Sequence, residues 1–297
     1  MQLPDTFLTL RNLLNVSQQI SMLAVVAFTM TIVMVMGDFD LSVGSTASLA
    51  GIVAAVLFAA GWPVWAGVAA ALTVGILGGL FNGVLVAYAG ILPFIATLGT
   101  LTMFSGTAFL VSDGKTIFGR DIPASFSDFA RSGLPIAEGA SLPAMTLLAL
   151  AVLAVVWVVL EQTTYGRRLY AIGGNAEAAR LAGVKVAWLR LSAFAFTGVS
   201  AAVAGLMYAA RVASANPTQG DGLMLTAIAA VFLGMTVTRD GQPRVLASLA
   251  GVVVLGVMDN GLTQLQVDSY VREVMVGAII LLAVSISALG RKAVGLR

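Results

Sequence analysis

The stretch Thr163–Arg190, TTYGRRLYAIGGNAEAARLAGVKVAWLR, is the one long polar and basic interruption in an otherwise apolar chain. It carries Arg167, Arg168, Arg180, Lys185 and Arg190, the kind of basic loop that stays on the cytoplasmic side of a membrane. Asn175 stands as an N-cap, Glu177 falls in the first turn where a carboxylate favours the helix dipole, and Gly183 is placed to close the helix. The pattern predicts a helix of about two turns, from Ala176 to Ala182. So short a helix is marginal alone in water, and its order must come from what it packs against. It is either an ordinary connecting helix on the membrane surface or a handle for a cytoplasmic partner.

The rest of the composition fits a membrane protein. Of the 297 residues 59% are hydrophobic and 10% charged, and the mean hydropathy is +0.98, far above that of ordinary soluble domains. There is no cysteine and no histidine, which removes thiol nucleophiles, disulfides, most zinc sites and the usual general base. Neither enzymatic chemistry nor a bound cofactor or metal is expected in this chain. Asp113–Thr116 ends like a phosphate-binding loop, but Phe109 stands where that motif needs glycine. No basic patch with interleaved aromatics points to nucleic acid.

Apolar runs that approach membrane-spanning length occur at Ile20–Met36, Ser45–Ala60, Val64–Ala89, Pro93–Val111, Pro143–Leu160, Leu191–Ala210, Val245–Leu265 and Glu273–Leu289, with a shorter one at Leu223–Thr238. The expected fold is an all-α polytopic bundle of about nine spans, one of them short or broken, forming a single domain over residues 1–297. Residues 112–142 mix both charge signs and are expected outside, residues 161–190 in the cytoplasm, and the C-terminus with Arg291, Lys292 and Arg297 also in the cytoplasm. Within residues 1–19, Leu3, Phe7, Leu10 and Leu14 recur at helical spacing, which suggests an amphipathic segment in the interface. The chain breaks near Gly37–Gly44 and Asn216–Gly222 are either plain turns or interruptions that line a pathway. Small residues at Gly67, Ala71, Gly75, Gly79 and Gly83 form a stripe for close helix packing, inside the bundle or at a dimer seam.

Few polar groups fall at membrane depth, and each is costly there. Asp38, Asp40, Ser42, Asn82, Thr97, Thr100, Asp259 and Asn260 are the candidates for a translocation pathway. Capping of the helix that begins near Ser42 also accounts for Asp38 and Asp40, and a buried structural pairing would account for Asp259.

Taken together, DFDLSVGS at Asp38–Ser45, NGVLVAY at Asn82–Tyr88, PFIATLGTL at Pro93–Leu101, YGRRLYAIGGNAEAARLAGV at Tyr165–Val184, AGLMYAARVASANPTQGDG at Ala204–Gly222 and DNG at Asp259–Gly261 resemble the membrane subunit of ABC importers of the ribose/xylose/arabinose type. That superfamily also holds branched-chain amino acid permeases. The resemblance implies a pair of such subunits in the bacterial inner membrane, most simply a homodimer, driven by a cytoplasmic ABC ATPase that binds ATP and Mg and fed by an extracytoplasmic sugar-binding protein. It makes Asn175, Ala176, Glu177, Ala178, Ala179, Arg180, Leu181, Ala182 and Gly183 the coupling helix that seats in the ATPase, so changes at Arg180 or Ala179 are expected to uncouple hydrolysis from uptake. A pentose-like sugar is the cargo it suggests, with branched-chain amino acids or nucleosides as alternatives. An ion-coupled secondary transporter with a proton on Asp259 is the rival from another class. The family usually carries one more helix ahead of Leu3, which this chain is expected to lack. Its glycine-rich loop after the short span reads GMTVTRDGQPR here, at Gly234–Arg244, gaining Arg239, Asp240 and Arg244.

Overall fold

The computed structural model describes residues 7–137, 139–238 and 240–268, and beyond them 270–271, 273–275, 277–279, 281–282 and 285. Six helices in this range are long and apolar enough to cross a membrane: α1 Leu10–Met34, α3 Val64–Ala87, α4 Pro93–Ser112, α6 Ala144–Trp157 with the π-helical turn Val158–Gln162 that prolongs it, α9 Val186–Val212 and α11 Val245–Gln264. Two further apolar helices are shorter, α2 Val43–Ala59 and α10 Leu223–Met235. The polar helices are α5 Ala124–Arg131, α7 Thr164–Gly174 and α8 Ala176–Leu181. The expected span at Glu273–Leu289 is described only in part, and residues 286–297, with Arg291, Lys292 and Arg297, lie outside the described residues.

The bundle has two distinct ends. At one, Gln18 of α1 donates to the Ala130 carbonyl at 2.7 Å, and Ser17 and Thr146 share a hydrogen bond of 2.9 Å. A hairpin of β2 Gly133–Ala137 and β3 Ala140–Pro143 stands there, and β1 Ile117–Phe118 pairs with β4 Ser214–Ala215 just past the C-terminus of α9. At the other end α1 finishes against α7, where Gly173 lies directly on the Val35 carbonyl. The bundle is therefore not purely α: its long hairpin-end connection is pinned by two short ribbons, which satisfy backbone groups that a bare loop would leave open.

Residues 10–19 differ from the expected interfacial segment. Leu10 onward is continuous with α1, the Thr9 hydroxyl accepting from Asn12 N at 3.2 Å to cap its start. The reason is polar: Asn12, Ser17 and Gln18 all find partners on neighbouring elements, so the helix gains by running on rather than breaking at Ile20.

The small-residue stripe is consumed within the bundle. Gly75, Gly79 and Gly83 of α3 lie against Gly198, Phe194 and Leu191 of α9, and Gly67 faces the Phe58 ring. Backbones approach there to contact, which maximises dispersion where lipid supplies no hydrophobic drive between helices. The core runs along this seam through Ala71, Phe194, Ala201 and Ala202, and across α1 through Val25, Val26, Phe28 and Met30.

Candidate functional site

At the basic end the Thr163–Arg190 loop folds as two helices. The Thr163 hydroxyl caps α7 by accepting from Gly166 N at 3.3 Å, and Leu169 and Ile172 bury one face of α7 while Arg167 and Arg168 stay exposed. Asn175 Oδ1 accepts from Glu177 N at 3.0 Å and Ala178 N at 2.9 Å, satisfying two of the open donors of α8. Gly183, at φ +84°, closes it, with Val184 N donating to the Ala179 carbonyl at 3.0 Å. Arg180 and Glu177 pair at 3.1 Å on the outer surface. Ala179 is buried and faces the chain's own bundle, whereas Leu181 is 82% exposed. A tryptophan at 179 would thus disturb the seating of α8 on its own subunit, and Arg180 and Leu181 are the residues that face outward.

Two staples hold this loop to the bundle. Arg190 Nε lies 2.9 Å from Asp38 Oδ2 and its Nη2 donates to Oδ1 at 3.4 Å, with the carboxylate only 6% exposed. The other staple uses the Gly234–Arg244 loop. Arg244 pairs with Asp240 at 2.9 Å and with Glu161 at 3.6 Å. The Tyr170 hydroxyl lies 3.1 Å from Glu161 Oε1 and 3.0 Å from the Pro243 carbonyl. Burial and the Glu161 carboxylate push the Tyr170 phenol well above its ordinary value, so it remains a donor. The Arg244 hydrogen bond holds the Asp240 carboxyl below the usual range, so this pair is intact at neutral pH and is lost only as pH falls through that lowered value. A cavity of about 350 Å³ lies between the staples, lined by Val35, Gly37, Phe39, Tyr170, Gly173 and Pro243.

Midway along the bundle the two chain breaks meet. Gly44, at the start of α2, and Gly220, just before α10, are in backbone contact, and Gly220 N donates to Ser48 Oγ at 2.8 Å. Both short helices begin here and run to opposite ends. Beside this point lies a polar network built from most of the pathway candidates. Asp40 Oδ1 accepts from Ser42 N at 3.0 Å and Ser42 Oγ at 2.7 Å, and Oδ2 accepts from Thr197 Oγ1 at 2.7 Å. Asn82 Nδ2 donates to Ser42 Oγ at 2.7 Å while its Oδ1 accepts from Thr100 Oγ1 at 2.7 Å. Thr97 bonds back to the Pro93 carbonyl at 2.7 Å. All of these side chains are buried, so the network locks the first break to α3, α4 and α9. Replacing Thr197 by valine keeps the shape but strips a donor from a buried carboxylate, and is expected to cost about 2 kcal/mol. A thermal-unfolding midpoint unchanged from that of the native chain would contradict this.

Asp259 and Asn260 stand apart. Asn260 is buried and accepts from Asn12 Nδ2 at 3.0 Å and Gln264 Nε2 at 3.2 Å, near the start of α1. The Asp38–Ser42 turn follows the other end of α1, about 37 Å away by helix rise. Asp259 is exposed at the hairpin end of α11.

Among known proteins, residues 12–284 match the family described as branched-chain amino acid transport system / permease component. The chain belongs to this permease family. The ribose import permease protein of Bacillus subtilis (strain 168) is 36% identical over 285 residues, covering 95% of this chain and 86% of that protein. The L-arabinose transport system permease protein of Escherichia coli (strain K12) is 36% identical over 287 residues, or 97% and 85% of the two chains. The D-allose transport system permease protein of the same organism is 32% identical over 287 residues, or 96% and 86%. No solved structure matches.

The permease also relies on residues that the sequence alone did not single out. Thr197 gave no signal, since a hydroxyl that bonds back to its own helix is commonplace in an apolar span. Arg190 counted only as one more basic residue of its loop, Ser48 and Gly205 passed as ordinary small or polar positions, and Gln219 was read only as part of the second break. Gln219 Nε2 donates to the Gly205 carbonyl at 3.2 Å, fixing the second break to α9.

Proposed function

We propose that this permease is the membrane-spanning subunit of an ATP-driven, binding-protein-dependent importer of a monosaccharide, working as a dimer in the bacterial inner membrane. The relatives named for ribose, L-arabinose and D-allose support the cargo class. The observation that carries the coupling is α8, a capped helix of six residues whose outer face, the Glu177–Arg180 pair apart, meets no other element among the described residues. A cytoplasmic ATPase is the partner that such a helix needs, which puts the basic end and the C-terminus in the cytoplasm and the hairpin end outside, facing a sugar-binding protein. Nine spans satisfy that orientation when the Glu273–Leu289 segment crosses.

Force on α8 reaches the two breaks by separate routes. α9 starts five residues after Leu181 and carries Arg190 and Thr197 seven residues apart, on one face. These hold Asp38 and Asp40, and so the head of α2. The second route runs through Tyr170 and Glu161 to the Pro243–Arg244 loop, at the foot of α10. ATP binding by the partner and docking of the loaded binding protein each favour one arrangement of these half-length helices over the other, and only such differential binding shifts the population. The permease contributes no covalent step.

Leu181→Glu and Arg180→Glu alter exposed side chains and leave the fold intact. Both are expected to lower co-purification of the ATPase and coupled uptake by about tenfold. Unchanged co-purification and uptake in both variants would remove α8 from the interface.

A further inference from the structure

The network around Asp40 is closed on itself, and one carboxylate lying further toward the hairpin end is not. Two rulers place Asp221. α10 begins two residues after it and spans 13 residues, about 20 Å of rise, before reaching the loop that meets Tyr170. Its neighbour Gly220 abuts Gly44 and Ser48, and Gln219 reaches Gly205, which lies 19 residues into the 27-residue α9. Asn216 Nδ2 also donates to Thr116 Oγ1 at 2.9 Å, so Asp221 sits between the middle of the bundle and its hairpin end, still within the depth of the long helices. It is exposed, as are Gly222 beside it and Leu225 one turn on. Among the described residues its carboxylate has no hydrogen-bonding or ionic partner.

The turn that presents it is fixed. Asn216 Oδ1 accepts from Thr218 N at 2.8 Å and Thr218 Oγ1 at 2.7 Å, and Asp221 N donates to the Thr218 carbonyl at 3.0 Å. A carboxylate held outward at this level cannot face lipid tails without a large cost, and an apolar contact with a second copy would leave it desolvated and unpaired. A water-filled path leaves it solvated.

We propose that Asp221 lines such a path and accepts hydrogen bonds from the hydroxyls of the monosaccharide moving along it, an inference that rests on the importer reading above. An ionised carboxylate is acceptor-only with two oxygens, which suits a pair of adjacent sugar hydroxyls. Contact through one exposed side chain is weak, as a pathway requires if cargo is to leave as well as enter.

The chain has no cysteine, so the Asp221→Cys variant carries a single thiol. In proteoliposomes holding the permease with its ATPase and binding protein, that thiol should react with a charged, membrane-impermeant maleimide. One of D-ribose, L-arabinose or D-allose at high concentration should slow the reaction about threefold or more, while glycine betaine at equal osmolarity should not. Asp221→Asn in the same assembly should reduce uptake about tenfold with ATP hydrolysis retained. Absence of labelling, labelling indifferent to all three sugars, or full uptake by Asp221→Asn overturns the assignment while leaving the importer reading standing. Failure of the unaltered assembly to import any sugar overturns the importer reading, and this inference with it.

Discussion

Arg190→Gln should destabilise the permease by about 3 kcal/mol, and most of that loss should return when Asp38→Asn is added. Asp38 is 6% exposed and the Arg190 side chain 27%, so the pair is largely withdrawn from water. Removing the guanidinium strands a buried carboxylate, whereas removing both charges strands nothing. The pair itself adds little net stability, because its Coulombic gain is offset by desolvation. Its use is geometric: it fixes the turn after α1 to the start of α9. Thermal-unfolding midpoints in detergent check this, since the double variant should melt well above the Arg190→Gln single variant. A double variant that melts no higher would show that the pair does not hold the turn. Uptake tells the pair's second role, because a double variant that regains stability yet stays uncoupled is what transmission through this staple requires.

Gly220→Ala should be comparably damaging, at about 2–3 kcal/mol from overpacking. A Cβ on Gly220 would be driven into the Gly44 carbonyl, and a Cβ on Gly44 would lie 2.6 Å from the Gly220 oxygen. Neither neighbour can step aside, because both are backbone at the heads of helices. The two short helices must therefore separate, and the Gly220 N to Ser48 bond is lost with them. Gly99→Ala on α4 is the control, since nothing lies within 4 Å of a Cβ there, and it should change the midpoint little. Equal midpoints for Gly220→Ala and Gly99→Ala would mean that the two breaks do not meet as described.

Much of this architecture was legible in the chain. Asn175, Glu177 and Gly183 marked α8 to within a residue of its end, because capping is local chemistry read from a few neighbours. The six long helices followed from run length, and the breaks at Gly37–Gly44 and Asn216–Gly222 from glycine and polar residues interrupting apolar runs. The meeting of those breaks was not legible, since it joins residues 176 positions apart through glycines, which carry no directional signal. The same holds for the candidate site. Asp40, Ser42, Asn82, Thr97 and Thr100 were found as polar groups in apolar surroundings, but Thr197, which completes their network, looked like any helical threonine. Asp259 and Asn260 drew attention for the same reason as Asp40, yet lie at the hairpin end of the bundle, away from the network at its middle. The Gly234–Arg244 loop read only as a departure from the family's glycine-rich loop. In the structure Arg244 binds both Asp240 and Glu161, an ionic tie from this loop to the basic one.

The decisive measurement is sugar uptake into proteoliposomes, with the permease, the ATPase, a loaded sugar-binding protein and internal ATP added in all combinations. Accumulation of at least one of D-ribose, L-arabinose or D-allose is expected only when every component is present. Uptake driven by an ion gradient without ATP, or no uptake of any of the three sugars by the complete assembly, would contradict it.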